Sequence, residues 1–209
     1  MLVIPAINEV KFEEILKKIN IAGKFSQWIH LDVVDGKFAS NITWNNPKGL
    51  ANLKHSKSNL EVHLMIENPE AVVEDWVSSG VERIILSLEA ISGGKLPSLS
   101  NKNSNFEIGL AINPETPVED LLPYLENIKF VLVLGVKPGL AGQKFNEEVL
   151  GKVRFLKNYY PGVTIEVDGG INLETAKLAK KAGADIIVSA SYIFKSSEPQ
   201  KIYEELSRI

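Results

Sequence analysis

The sequence predicts an α/β protein, a (β/α)8 barrel formed by a single domain over residues 1–209. Eight short apolar runs alternate with segments of helical spacing, and no change of composition divides the chain. The length of 209 residues also suits one compact barrel. A doubly wound open sheet is the main alternative, but the eighth unit, which ends in the helical segment Ile202–Arg208, favours closure.

The predicted strands are near-continuous apolar runs, which parallel strands need when both faces of the sheet are covered. They are Leu2–Ile7, Trp28–Val34, Leu60–Ile66, Arg83–Leu88, Phe106–Ile112, Phe130–Val136, Thr164–Val167 and Asp185–Ser189. Apolar residues between the strands recur at helical spacing, as at Phe12, Ile15 and Ile19. The chain therefore reads as eight strand–helix units.

Three asparagines predict helix starts. Asn68 and Asn113 are each followed by Pro-Glu, which is typical of an N-cap with proline at the first helical position. Asn172 begins the seventh helix in a similar way. The segment Ser92–Asn105 is rich in Ser, Asn and Gly, and it predicts a short or irregular fourth helix.

Composition and charge exclude several classes of protein. Hydrophobic residues make up 44% and charged residues 23% of the chain, which is typical of a soluble globular protein. The net charge is −3 and basic residues do not cluster, so we expect no nucleic-acid partner. The absence of cysteine excludes disulfides, thiolate zinc sites and cysteine nucleophiles. With no long apolar run and no secretion signal pattern, we expect a cytoplasmic protein without a membrane partner.

The informative polar residues are those near the C-terminal ends of strands, where barrels carry their active sites. His30 and Asp32 lie two residues apart in the second strand and share one face, while His63 and Asp168 lie near the ends of the third and seventh. If these side chains point inward, they form a site for one divalent metal ion, such as Zn, Fe(II), Mn or Co. The alternative for each histidine is a hydrogen-bonded core residue.

Two further polar positions have simpler interpretations. Asp35 and Gly36 follow the second strand and predict a turn, with only a minor chance that Asp35 touches a substrate. His55 lies in a polar stretch and is expected at the solvated surface.

Small residues follow the last three strands. The loop after the sixth strand contains Gly139 and Gly142, the seventh strand is followed by Gly169 and Gly170, and the eighth by Ser191. Small residues allow backbone N–H groups to approach an anion, and the loops after the last strands of a barrel frequently bind phosphate. The sequence therefore predicts a phosphorylated ligand.

Taken together, these segments resemble the ribulose-phosphate 3-epimerase family. The matching stretches are His30–Phe38 with Asn41-Ile42-Thr43, Val62–Met65 with Asn68-Pro69, Pro138–Phe145, Val167–Gly170 and Ser191–Phe194. They follow the family's order and spacing, so the resemblance covers nearly the whole chain.

The resemblance implies a TIM barrel that interconverts D-ribulose 5-phosphate and D-xylulose 5-phosphate in pentose phosphate metabolism. It implies one divalent metal ion on His30, Asp32, His63 and Asp168, with Asp32 and Asp168 as the acid/base pair. It also implies that small residues hold the phosphate of the sugar, namely Gly142, Gly169, Gly170 and Ser191. Family habit allows a homo-oligomer.

The sequence departs from the family pattern at five positions, Ala6, Val34, Ser87, Lys137 and Ala190. None of these departures removes a predicted metal ligand or either predicted acid/base residue. The first three are expected to line the sugar end of the pocket, so an epimerase of another ketose phosphate, such as allulose 6-phosphate, is one alternative. A barrel that binds metal and phosphate without useful turnover is another. A decarboxylase or synthase of similar fold is disfavoured, because Val34 stands where those families carry lysine in Asp-x-Lys-x-x-Asp.

Overall fold

A computed structural model describes residues 1–50, 58–94, 96 and 106–209. In this part of the chain eight parallel strands close into a barrel, each pairing with the next and the last with the first. The strands are β1 (Leu2–Ile7), β2 (Trp28–Val34), β3 (Asn59–Met65), β4 (Arg83–Ser87), β5 (Glu107–Ile112), β6 (Phe130–Leu134), β7 (Thr164–Asp168) and β8 (Ile186–Ser189). The predicted (β/α)8 barrel is confirmed, and the predicted strand bounds differ from the observed ones by two residues at most.

Helices follow the strands on the outside of the barrel. The α-helices over the described ranges are α1 (Phe12–Ala22), α2 (Pro47–Leu50), α3 (Val73–Ser78), α4 (Leu150–Tyr159), α5 (Leu173–Ala182), α6 (Ser191–Phe194) and α7 (Pro199–Ser207). Shorter 3₁₀ segments span Pro69–Ala71, Leu88–Ala90, Ser92–Gly94, Val118–Tyr124 and Glu147–Val149. Among the described helices, none has the length and apolar character that crossing a membrane requires.

Helices begin at two of the three predicted starts. Asn172 caps α5, since its side chain accepts hydrogen bonds from the backbone of Glu174 and Thr175 and the Thr175 side chain accepts one in return. Asn68 precedes the 3₁₀ segment Pro69–Ala71, which has proline at its first position as predicted, but Asn68 is left-handed and its side chain accepts from Ser92 instead of capping the helix. The third prediction was wrong. At Asn113 no helix begins, and the carbonyls of Asn113, Pro114 and Thr116 accept hydrogen bonds from the Lys152 ammonium.

The fourth unit is irregular, as predicted. Among the described residues, β4 is followed by two 3₁₀ turns, Leu88–Ala90 and Ser92–Gly94, and Gly93 has a φ of 66°. Most of the remaining segment to Asn105 lies outside the described residues, and so does His55.

The apolar core has two layers, one between the barrel and its helices and one inside the barrel. Ile29, Leu31 and Val33 of β2 belong to the outer layer, so the alternation of the strand directs His30 and Asp32 inward. The interior layer consists of Ile4, Ala6, Ile85, Ala111, Phe130, Leu132, Leu134, Ile186 and Val188. The polar residues of the barrel interior thus sit against a mostly aliphatic wall.

Candidate active site

Four of the predicted site residues converge inside the barrel. His30 and Asp32 come from β2, His63 from β3 and Asp168 from the end of β7, and one ligand atom of each lies within 4.8 Å of the others. The strand register places His63 directly beside Asp32. The two histidines are fully buried and the two aspartates are each 9% exposed. The donors of the predicted metal site are therefore close enough to share one ion.

The two aspartates have opposite electrostatic environments. Burial raises the pKa of Asp32, but hydrogen bonds and positive charge from His30 and His63 outweigh it and hold that pKa well below its usual range. Burial and the nearby charge of Asp32 raise the pKa of Asp168 to about 7. Paired carboxyl groups whose pKa values are pushed apart are the arrangement that divides acid and base roles.

The donor set fits a divalent metal ion. The Nδ1 atom of His63 is buried, has no hydrogen-bond partner among the described residues, and lies 3.7 Å from Asp32 Oδ1. His30 Nε2 lies 3.3 Å from the same oxygen. A buried ring nitrogen left unpaired beside a carboxylate costs free energy that coordination would recover. Two imidazoles and two carboxylates suit Zn, Fe(II), Mn or Co.

An open cleft joins this cluster to the glycine loops. Asp32 and Asp168 line it, whereas His30 and His63 are fully buried and do not. The predicted phosphate-binding residues all line the same cleft, namely Gly139, Gly142, Gly169, Gly170 and Ser191. The two groups of residues that the sequence singles out therefore belong to one cleft.

The far end of the cleft has backbone that favours glycine. Gly142 and Gly170 have φ values of 83° and 71°. A Cβ atom on Gly142 would lie 3.8 Å from both Ser191 Oγ and Lys195 Nζ, so a hydroxyl and an ammonium group converge there. A Cβ on Gly170 would approach the backbone nitrogen of Phe145 to 2.7 Å, which shows how closely the two loops meet. This end of the cleft can offer N–H, hydroxyl and ammonium donors to an anion.

Three of the expected pocket residues lie elsewhere. Ala6, Val34 and Ser87 do not line the cleft, and each is buried inside the protein. Ser87 Oγ instead lies 3.3 Å from His63 Nε2. Lys137 and Ala190, the other two departures, do line the cleft.

Asp35 forms a turn, as predicted. Its side chain accepts hydrogen bonds from the backbone N–H groups of Lys37, Phe38 and Glu67. Burial raises its pKa, but these hydrogen bonds outweigh that effect and lower it. The carboxylate is thus used to hold the turn after β2.

Several residues at the site were not predicted. The Asn8 amide donates to Asp32 Oδ2 at 3.2 Å and to the Gly139 carbonyl at 2.9 Å, and Asn41 donates to that carbonyl at 3.1 Å. Beneath the cluster, Glu61 contacts both His30 and Arg83. The position of Asn8 directly after β1 was the one available signal for its role, while the contacts of Glu61 depend on strand register.

The barrel and its cleft define the class of this protein as a (β/α)8-barrel enzyme with its polar residues gathered at the C-terminal ends of the strands. The chain belongs to the ribulose-phosphate 3-epimerase family, whose model matches residues 2–194. It is accordingly an isomerase, an epimerase acting on carbohydrates, and the family places it in pentose phosphate metabolism.

Individual relatives agree with this assignment. The chain is 37% identical over 188 residues to the cytoplasmic isoform of ribulose-phosphate 3-epimerase from Oryza sativa subsp. japonica, covering 88% of this chain and 82% of the relative. It is 38% identical over 183 residues to ribulose-phosphate 3-epimerase from Chlamydia muridarum, covering 84% and 80%. Among solved structures, KGPDC from Streptococcus mutans in complex with D-R5P matches with a TM-score of 0.78 at 14% identity, covering 99% and 97% of the chains. The last likeness concerns the fold alone.

Proposed function

We propose that this chain is a metal-dependent 3-epimerase that interconverts D-ribulose 5-phosphate and D-xylulose 5-phosphate. The observation that carries the proposal is that one cleft holds two carboxyl groups at one end and an anion-binding set of small residues at the other. Membership of the family supports a phosphorylated ketose as the substrate. We place the reaction in the cytoplasm, in keeping with the name of the rice relative.

Asp32 and Asp168 are proposed as the two acid/base residues. Epimerisation at C3 removes a proton next to the ketone and returns one to the opposite face, so a group is needed on each side of the planar enediolate. The two aspartates come from β2 and β7, which are not neighbours in the barrel, and both reach the cleft. The lowered pKa of Asp32 provides a ready base, and the raised pKa of Asp168 favours the protonated acid. The roles exchange when the reaction runs in reverse.

His30, Asp32, His63 and Asp168 are proposed as the ligands of one divalent metal ion. When bound there, the ion supplies Lewis acidity that stabilises negative charge developing on the ketone and hydroxyl oxygens. The unpaired Nδ1 of His63 and the closeness of the four donors support this assignment. The Asn8 amide, which donates to Asp32 Oδ2, orients that carboxylate within the cluster.

The phosphate of the sugar is proposed to bind at the other end of the cleft. Backbone N–H groups at Gly142, Gly169 and Gly170 and the hydroxyl of Ser191 supply hydrogen bonds, and Lys195 supplies charge. Binding of the phosphate fixes the distance between C5 of the sugar and the two aspartates. C3 is thereby placed between the two carboxyl groups.

The proposal is tested by proton exchange at C3 of D-ribulose 5-phosphate in D2O, followed by NMR with Mn, Zn or Fe(II) added. We expect deuterium at C3 together with the appearance of xylulose 5-phosphate. Exchange on allulose 6-phosphate but not on ribulose 5-phosphate would reassign the substrate. If neither sugar exchanges its C3 proton with any of the metals, the epimerase activity is refuted. That result would favour a barrel that binds metal and phosphate without turnover.

A further inference from the structure

The two ring nitrogens of His30 face different groups. Its Nε2 points into the metal cluster, 3.3 Å from Asp32 Oδ1. Its Nδ1 points toward the floor of the barrel, where it lies 2.8 Å from Glu61 Oε1. Register pairing between β2 and β3 sets His30 opposite Glu61, so both side chains enter the interior at the same level. The histidine is therefore contacted by a carboxylate on the side away from the cluster.

Glu61 is held from its other oxygen by Arg83. The Arg83 Nη1 donates to Glu61 Oε2 at 2.5 Å, and the guanidinium stacks 3.8 Å above the ring centre of Phe130. Glu61 is fully buried, and a buried carboxylate without a cationic partner is strongly destabilising. Arg83 thus supplies both the compensating charge and the orientation of the carboxylate.

Neighbouring acceptors do not compete with Glu61. The nearest other carboxylate, Glu166 Oε1, lies 3.7 Å from His30 Nδ1, which is beyond hydrogen-bond distance. In the second histidine of the cluster, His63, the two ring nitrogens have exchanged places. His63 presents Nδ1 to the cluster, and its Nε2 lies 3.3 Å from the neutral hydroxyl of Ser87. Of the two, only His30 has a charged partner within hydrogen-bond distance on the side away from the cluster, as far as the described residues extend.

We propose that Glu61, oriented by Arg83, is a positioning residue that keeps the proton of His30 on Nδ1 and leaves Nε2 free to bind the metal ion. A carboxylate accepting from the far nitrogen of a ligating histidine fixes the ring and raises its basicity, and losing such a partner typically lowers metal affinity roughly 10–100-fold. The inference rests on the proposed function, because it takes His30 as a metal ligand.

Glu61→Gln is the informative substitution. A glutamine has one acceptor and one donor in place of two acceptors, so satisfying Arg83 with its oxygen turns the NH2 group toward His30 Nδ1. That contact favours a proton on Nε2, which is the wrong tautomer for metal binding. We expect the dissociation constant for zinc, measured by competition with a chromophoric chelator, to rise at least about tenfold.

Glu107→Gln is the matched control. Glu107 accepts from Arg83 Nε at 2.8 Å, so the same arginine loses a charged partner, but Glu107 has no contact with His30 in the described structure. We expect a zinc dissociation constant within about twofold of the unsubstituted protein. Melting temperatures of both variants after chelation separate any general loss of stability from a loss of affinity. An equal loss of zinc affinity in the two variants would overturn the role of Glu61.

A measurement on the unsubstituted protein does not depend on a variant folding. The chain has three histidines, so ring signals are readily assigned in a ¹⁵N-labelled, zinc-loaded sample. We expect one zinc per chain, with His30 retaining a hydrogen-bonded proton on Nδ1. Zinc coordination through His30 Nδ1, or a second zinc shared by His30, Glu61 and Glu166, would overturn this inference alone. A protein that binds no zinc, Mn or Fe(II) would overturn the proposed metal centre and this inference with it.

Discussion

Replacing Asp168 by asparagine removes one of the two proposed proton-transfer groups while keeping the size of the side chain. Among the described residues that line the cleft, only Asp32, Lys137 and Asp168 have titratable side chains. Lys137 is directed outward, with its ammonium group 4.0 Å from Glu115 Oε1 on the surface. Asp32 is therefore the one other acid/base group of this lining that is directed into the cleft, and the proposed mechanism assigns it to the opposite face of the substrate.

The expected loss follows from this geometry. General acid–base catalysis by a positioned group contributes roughly 10²–10⁴-fold, and the neutral amide of an asparagine would also be a poorer metal ligand than a carboxylate. We expect kcat for Asp168→Asn to fall at least about 10³-fold, or about 4 kcal/mol of transition-state stabilisation. Because Asp32 is untouched, exchange of the C3 proton with D2O should survive from one epimer alone.

The assay is NMR of C3 deuteration, started separately from each epimer, with metal content measured on the same sample. Asp35→Asn is the control, since Asp35 holds the turn after β2 and does not line the cleft. A kcat for Asp168→Asn within about tenfold of the unsubstituted enzyme would refute the two-aspartate reasoning. Equal exchange from both epimers would refute the assignment of one aspartate to each face.

The remaining predictions concern the phosphate, the turn after β2 and the metal ion. Lys195→Ala should raise KM for the sugar phosphate about tenfold with little change in kcat, because its ammonium converges with Ser191 at Gly142. Lys195→Arg should restore part of the binding, and an unchanged KM in Lys195→Ala would remove the lysine from the site. Asp35→Asn should lower the melting temperature at pH 7, because the hydrogen bonds to its carboxylate lower the folded-state pKa. That difference should persist above about pH 4 and vanish as the pH falls through the folded-state pKa, and a constant difference from about pH 2 to 7 would contradict it. Chelation should abolish epimerisation and lower the melting temperature, and adding Mn, Zn or Fe(II) should reverse both effects. Full activity after complete metal removal would contradict the proposed metal requirement.

The fold was predictable because its strands are near-continuous runs of apolar residues in the sequence. A parallel barrel buries both faces of each strand, so composition alone marks β6 and β8. The helical connections were harder to predict. No helix begins at Asn113, whose carbonyl accepts a hydrogen bond from the Lys152 ammonium, 39 residues away in sequence. A contact of that range leaves no local pattern.

The candidate site was predictable as far as spacing within one strand reaches. Alternation along a strand puts His30 and Asp32 on one face of β2, and it puts Glu61 and His63 on one face of β3. The inward direction of Glu61 could therefore have been predicted from the sequence. Its pairing with His30 was not, because that contact depends on which residues of β2 and β3 stand opposite one another. Lys195 had no signal at all, since it follows the short helix α6 and reaches Gly142 only through the folding of the last loops.

The carbonyl of Gly139 has a consequence for efforts to redesign the substrate range of this enzyme. It accepts amide hydrogens from Asn8 and Asn41, so three loops that begin at different strands share one acceptor above the cleft. These loops are not independent modules. Replacing the loop after β6 by a foreign loop would leave the amide groups of both asparagines without this acceptor. Because Asn8 also donates to Asp32, the replacement would disturb Asp32 as well. A successful replacement of this loop therefore also requires matching substitutions at positions 8 and 41, in the loops after β1 and β2.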